Sequence, residues 1–251
     1  MSDFIKRVIN FTASIILLLF FWQLIIVVGQ HPEFLMPSPA RVALALRELL
    51  TDGRLFIHVW ISLRRFLIGY IAACTVAAVL GCFLGWFNWA WRLAEPIVLL
   101  VKPISPIAWL PFIMLWFGFG DPPVIFTVSL AAFFPMLLAT VRAVNHVNES
   151  YIKVANSFGL TQFQTLFKIV LPASFPLLVQ GLHTALTAAW IFLVAGELMA
   201  YSGLGFLIND SRQHLRSDLI MAGIVLIGTM GYILDKLLGH AERYVSRKWG
   251  V

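Results

Sequence analysis

Asp, Glu, Lys and Arg are spaced along this chain so as to leave long apolar gaps. Residues 8–30, 66–91, 103–120, 122–141, 169–196 and 219–234 contain none of the four. A helix crossing a bilayer needs about 20 mainly apolar residues. The last gap, 16 residues, is short, but Asp218 and Asp235 at its ends can sit at the two interfaces. The pattern predicts an all-α integral membrane protein with about six transmembrane helices in one bundle. The expected spans are 8–29, 66–87, 97–117, 123–141, 176–200 and 218–236, within a single transmembrane domain over 1–251. Lys6 and Arg7 ahead of the first run resemble the start of a secretory signal. The run is longer than the ~7–15 residues of a signal core and no A-x-A site follows, so it reads as an uncleaved first span.

Composition agrees. The chain is 60% apolar and 12% charged, with 21 Phe and 9 Trp. Soluble domains carry about twice that charge, and disordered chains are poor in aromatics. The net charge of +6 raises nucleic acid as a partner, but no motif or basic stripe for it is present. Lys and Arg collect on the cytoplasmic side of membrane proteins. With the N-terminus inside, eleven fall on inner segments and seven on outer ones, so both termini are expected in the cytoplasm. Cys74 and Cys82 lie eight residues, about 12 Å, apart along one helix, too far for a disulfide within it.

Two loops carry structure. In the outer loop, about 31–65, Ser38-Pro39 starts a helix. Val42, Ala45, Leu46, Leu49 and Leu50 give it an apolar face, and Asp52-Gly53 stops it. Such a helix either lies on the outer membrane surface or packs over the bundle. On the inner side, residues 142–172 predict two short helices. Ile152, Ala155 and Phe158 space one face of the first, and Gly159 ends it in a left-handed conformation. Thr161 and Gln164 form a capping box for the second. Phe163, Leu166, Phe167 and Val170 give that helix its face, and Pro172 closes it. Two capped amphipathic helices suit docking to another protein; the alternative is a hairpin packed on its own bundle.

This loop also carries a family likeness. Gly159, nine residues, then Ile169-Val170-Leu171-Pro172 resembles the signature of ABC-importer membrane subunits: E-A-A, three residues, Gly, nine residues, Ile-x-Leu-Pro. Lys153-Val154-Ala155 stands where that pattern has E-A-A. Other strings are similar to the nitrate/sulfonate/taurine/bicarbonate branch: Leu35-Met36-Pro37-Ser38-Pro39, Lys102 to Pro111 continuing into Leu115-Trp116-Phe117-Gly118, and Ala195 to Met199 followed by Ser202-Gly203-Leu204-Gly205. The likeness runs from about residue 15 to 240. It implies a permease of the type I importer kind in the bacterial inner membrane, working as a homodimer with two cytoplasmic ATPase subunits and an extracytoplasmic solute-binding protein. It also makes 142–172 the ATPase-coupling loop. The implied solute is a small oxyanion such as a sulfonate, taurine, nitrate or bicarbonate. The chain has no G-x-x-x-x-G-K-[ST] phosphate loop. ATP and magnesium are therefore expected on the partners, with no cofactor and no catalytic role here.

No catalytic or metal-ligating constellation stands out: the six His are scattered, without H-E-x-x-H or Cys/His spacing. Ser-Gly-Leu-Gly at 202–205 reads as a tight turn or a close helix approach. Lys102, Pro106, Trp109, His183, Trp190 and Glu197 are the candidate pathway or gate residues. Lys102 opens a proline-broken span that can line a pore, or is an ordinary flanking cation. Glu197 is the only carboxylate well inside an apolar run; it either gates the path or braces the bundle against Arg212 or Arg216. His183 stands where the branch often carries Arg. A neutral His there suits an uncharged heterocycle such as a thiamine-precursor pyrimidine, or is simply a satisfied structural histidine. An ion-coupled secondary transporter would show half-repeats or several buried carboxylates, and a membrane enzyme would show paired acid/base groups. Neither pattern is found.

Overall fold

The computed structural model describes residues 2–29, 32–147, 151, 153, 155 and 157–249. Within them the chain is all-helical: α1 Ser2–Gly29, α2 Pro39–Thr51, α3 Arg54–Trp86, α4 Asn88–Val101, α5 Leu110–Phe117, α6 Asp121–Asn145, α7 Gln162–Thr165, α8 Leu171–Glu197, α9 Leu204–Gln213 and α10 Ser217–Trp249. Five helical segments are long and apolar enough to cross a membrane, or six if a bent pair counts as one.

That bent pair is the expected proline break, but it divides the span into two separate helices. Residues 97–117 do not form one helix. α4 ends at Val101, a 3₁₀ turn Pro106–Trp109 leads into α5, and the two arms meet at 82°. Pro103, Pro106 and Pro111 lack an N–H for the helical ladder, and a residue before proline is pushed out of the helical region. Ser105, before Pro106, is accordingly extended, at φ −60° and ψ 134°.

Length departs from expectation. α3 starts at Arg54, well before 66, and α10 runs on to Trp249. Pro172 does not close the inner helix: α7 passes through a π-helical turn, Leu166–Val170, directly into α8. The widened turn has Leu171 N–H bonded to Leu166 C=O, five residues back. This relieves the crowding that the Pro172 ring would otherwise meet from the preceding turn.

α6 is central, packed along α3 on one side and α8 on the other. Small residues allow the approach, as in other membrane bundles. A Cβ on Gly81 of α3 would stand 2.6 Å from Thr140 Cβ, and one on Gly181 of α8 would stand 2.5 Å from Ala139 Cβ. Phe66, Tyr70, Val128, Met136, Leu186 and Trp190 belong to the core these helices share. α2 buries Val42, Ala45 and Leu49 against Leu207 of α9 and Leu219 and Ala222 of α10, so it packs over the bundle. Arg216 ties it down, donating to Glu48 at 2.8 Å and to Asp218 at 2.9 Å. Asp218 first, and then Glu48, raise the pKa of that guanidinium further.

Candidate functional site

Three regions carry polar chemistry. The first is a clamp where the N-terminal part of α3 meets the end of α8. Ser62 and Arg65 lie three residues apart, on the core face that continues through Phe66, Gly69 and Tyr70. Glu197 is 0% exposed and closes α8. Its carboxylate accepts from Ser62 Oγ at 2.8 Å, Arg65 at 3.1 Å and Gly205 N–H at 3.0 Å. Arg65 also donates to Asp121 at 2.8 Å and to Ser202 C=O at 2.6 Å, and Arg64 pairs with Asp121. Ser62 Oγ accepts from Leu204 N–H at 2.8 Å. The turn at 202–205 wraps the carboxylate. Gly203 has φ +105°, and a Cβ there would fall 2.1 Å from Glu197 Oε1. The close approach expected of Ser-Gly-Leu-Gly is thus made onto Glu197.

This corrects the expected brace. Glu197 pairs with Arg65, not with Arg212 or Arg216. Fully enclosed in the chain, it does not line the two cavities that Lys102 borders.

The second region is a cavity of about 600 Å³ between the proline break, α6 and α8. Lys102, Ser105 and Pro106 line it from the break, Phe134 and Arg142 from α6, and Gln180, Gly181, Thr184 and Phe192 from α8. Gln180 and Thr184 share one helix face, and Thr184 donates to Gln180 C=O at 2.9 Å. A smaller cavity, about 250 Å³, shares Lys102 and Arg142 and adds Trp91, Glu95 and His146. Of the six candidate pathway residues, only Lys102 and Pro106 line the large cavity. Trp109 sits in the 3₁₀ turn outside its lining. Trp190 is core: its Nε1–H donates to Ile227 C=O at 3.1 Å and its ring meets Phe66 edge-on at 5.2 Å. His183 faces α10, with Nδ1 2.8 Å from Asp235 and Nε2 3.3 Å from Glu242. Its place is a cross-helix tie.

The third region is the inner segment. Tyr151, Lys153, Ala155 and Ser157 are helical, while Ile152 and Val154 lie outside the described residues. Gly159 takes φ +71° with open space around it. Thr161 and Gln164 form a reciprocal capping box, at 3.3 Å and 3.0 Å. The expected faces divide, however. Ala155 is 0% exposed and Phe158 81%. Phe163 and Phe167 are exposed, whereas Val170 is buried. Ile169 is half-buried, and Leu171 and Pro172 enter α8.

Sequence reading missed Arg65, Ser62, Asp121 and Arg142. The period of the α3 core face, extended back from Phe66 by one turn, reaches Arg65 and Ser62. In the sequence Arg142 enters only as one of the eleven cations on inner segments.

Comparisons place this architecture. The chain is 30% identical over 229 residues to a putative aliphatic sulfonates transport permease protein of Bacillus subtilis, covering 91% of this chain and 83% of that protein. It is 31% identical over 240 residues to the taurine transport system permease protein of Escherichia coli, covering 92% and 86%. In fold it matches a chain of the MetNI methionine ABC transporter solved in an inward-facing conformation. That match has TM-score 0.64 and 19% identity, and covers 76% of this chain and 94% of the other. The sequence profile of the binding-protein-dependent transport system inner membrane components matches residues 4–247. A multi-helix membrane bundle, a broken helix beside a cavity, and these likenesses along nearly the whole chain lead to one conclusion: the protein belongs to that family, the permeases of ABC importers.

Proposed function

We propose that two copies of this chain form the path of an importer for a small oxyanion such as a sulfonate, taurine, nitrate or bicarbonate. Two cytoplasmic ATPases drive it and an extracytoplasmic binding protein supplies the solute. The sulfonate and taurine permeases among its relatives support that solute class. Both termini and residues 142–172 lie in the cytoplasm, as the eleven-to-seven bias of Lys and Arg indicates. The membrane is the bacterial inner membrane. The chain itself catalyses nothing; ATP and magnesium belong to the partners.

The observation that carries this reading is Phe158. It is a large aromatic, 81% exposed, on a segment outside the membrane spans, between buried Ala155 and left-handed Gly159. Exposed aromatics are what docking faces use as anchors. The capping box fixes the chain immediately after it. α7 then runs without interruption into α8, whose residues line the cavity. A displacement of the docked segment by ATPase closure would therefore be passed along one helix to the cavity wall. The buried clamp at the far end of α8 would hold that helix against α3.

The test is co-purification with the ATPase. Phe158→Ala should leave a membrane-inserted, stable chain that loses the ATPase and coupled uptake of a small-anion panel (taurine, methanesulfonate, nitrate). Full ATPase recovery and normal uptake would refute the docking role. Ala155→Asp differs from it: a charge placed at a buried position should lower the amount of folded chain.

A further inference from the structure

We propose that Lys102 and Arg142 together form an anion-binding site that holds the acidic group of the solute where the linings of the two cavities coincide. The inference rests on the reading of the larger cavity as part of the solute path. Lys102 follows α4 at the proline break, and Arg142 lies in the last turn of α6. These two elements are separate in sequence, yet both side chains line the large cavity and the small one, so both stand where the two spaces meet. A cation at a helix C-terminus is favoured by the helix dipole. That accounts for each cation at its helix end, but not for their convergence on one cavity.

What sets this pair apart is its place on both cavities. Among the described residues Arg47, Arg92, Lys168 and Arg212 lack a carboxylate partner too, but they line neither cavity. Arg41, Arg54, Arg65 and Arg216 each bond a carboxylate. Among the described residues, Lys102 and Arg142 have no such ion pair, and no carboxylate lines the large cavity. Glu95 borders only the smaller one. The remaining lining offers neutral polar groups, Ser105 and Gln180, and apolar walls including Leu130, Phe134 and Phe192. Apolar walls strengthen the field of the two charges across the space. A planar guanidinium can grip two oxygens of a sulfonate, nitrate or bicarbonate at once, and the ammonium adds a point charge. The ligand class is therefore a small oxyanion. A cation or an uncharged heterocycle would leave both charges unanswered.

The test measures charge selectivity inside the cavity. In the full importer complex in lipid, with Cys74→Ala and Cys82→Ala, a thiol is introduced by Ser105→Cys. It is then modified by a negatively charged and by a positively charged methanethiosulfonate reagent. The anionic reagent should react faster, and sodium methanesulfonate should slow it. Lys102→Gln with Arg142→Gln should lower the ratio of the two rates about tenfold or more, the scale on which focused fields concentrate ions, and should abolish the protection. Lys102→Arg with Arg142→Lys keeps both charges and should keep the ratio, which separates loss of charge from disturbance of the fold. An unchanged ratio in the Gln variant, or no protection by methanesulfonate in the parent, would overturn the site. Charge-selective, methanesulfonate-protected labelling in a complex that imports no anion would instead leave the site standing and remove the solute-path reading.

Discussion

Four charged groups near the membrane-spanning helices of this protein fall into two opposite settings. Arg65 and Glu197 are both buried, bonded to each other and bonded further to Ser62, Asp121, Ser202 and the 203–205 turn. Lys102 and Arg142 are solvent-accessible, face a cavity and have no carboxylate partner among the described residues. The same side-chain chemistry serves two ends. A charge whose bonds are all made within the chain holds helices in place. A charge whose bonds are left open can answer a ligand. Two cations from separate helix ends that converge on one cavity lined by no carboxylate are the setting that asks for a functional reason.

The comparison is broken most forcefully at the clamp. Glu197→Ala would leave Arg65 short of its buried partner and Gly205 N–H without an acceptor. Breaking a buried pair on one side costs about 3–5 kcal/mol, so thermal unfolding in lipid should show a large loss of stability. Arg65→Met combined with Glu197→Leu should recover part of it. A Glu197→Ala chain that unfolds like the parent but no longer transports would turn the clamp back into a gate. Gly203→Ala comes next. Its φ of +105° and the 2.1 Å approach to Glu197 Oε1 leave no room for a methyl group. Strain of about 1–3 kcal/mol, with the clash added, should lower the melting temperature without touching the cavity.

Gly159→Val sharpens the contrast from the other end. The left-handed backbone there costs a branched residue about 1–2 kcal/mol, but no neighbour lies within 4 Å of a Cβ. The chain should insert, with a melting temperature lowered by only a few degrees, while ATPase co-purification falls. The smallest effect is expected at His183. His183→Asn removes a partly exposed tie to Asp235 and Glu242, worth about 1 kcal/mol or less after solvent screening. Uptake per folded complex should stay unchanged, because the side chain turns away from the cavity.

What the sequence made legible follows from how local each signal is. Gly159 and the Thr161–Gln164 box are set by a few neighbouring residues, and both were readable. The prolines at 103, 106 and 111 announced a broken segment, but nothing local fixes an 82° bend. Pro172 reads as a helix end in the sequence, yet a π-helical turn absorbs it, and no residue type marks that turn. The clamp was hidden for another reason. Arg65 finds Glu197 across 132 positions, and a ruler built on gaps between charges treats every Arg as a boundary. That ruler also cut α3 short. Trp190 and His183 sat in plausible sequence contexts; which way their side chains turn is decided by α10, through Ile227, Asp235 and Glu242.

The charges bonded within the chain at the clamp hold this fold, and the unpaired two that face the cavity serve its solute. The most direct measurement is anion uptake divided by the amount of folded complex, for Arg142→Gln and Glu197→Gln side by side in proteoliposomes. Arg142→Gln should melt like the parent yet lose uptake about tenfold. Glu197→Gln should lose uptake only in proportion to its loss of folded protein. A stable Glu197→Gln complex without uptake, beside an Arg142→Gln complex that transports normally, would contradict this division of roles.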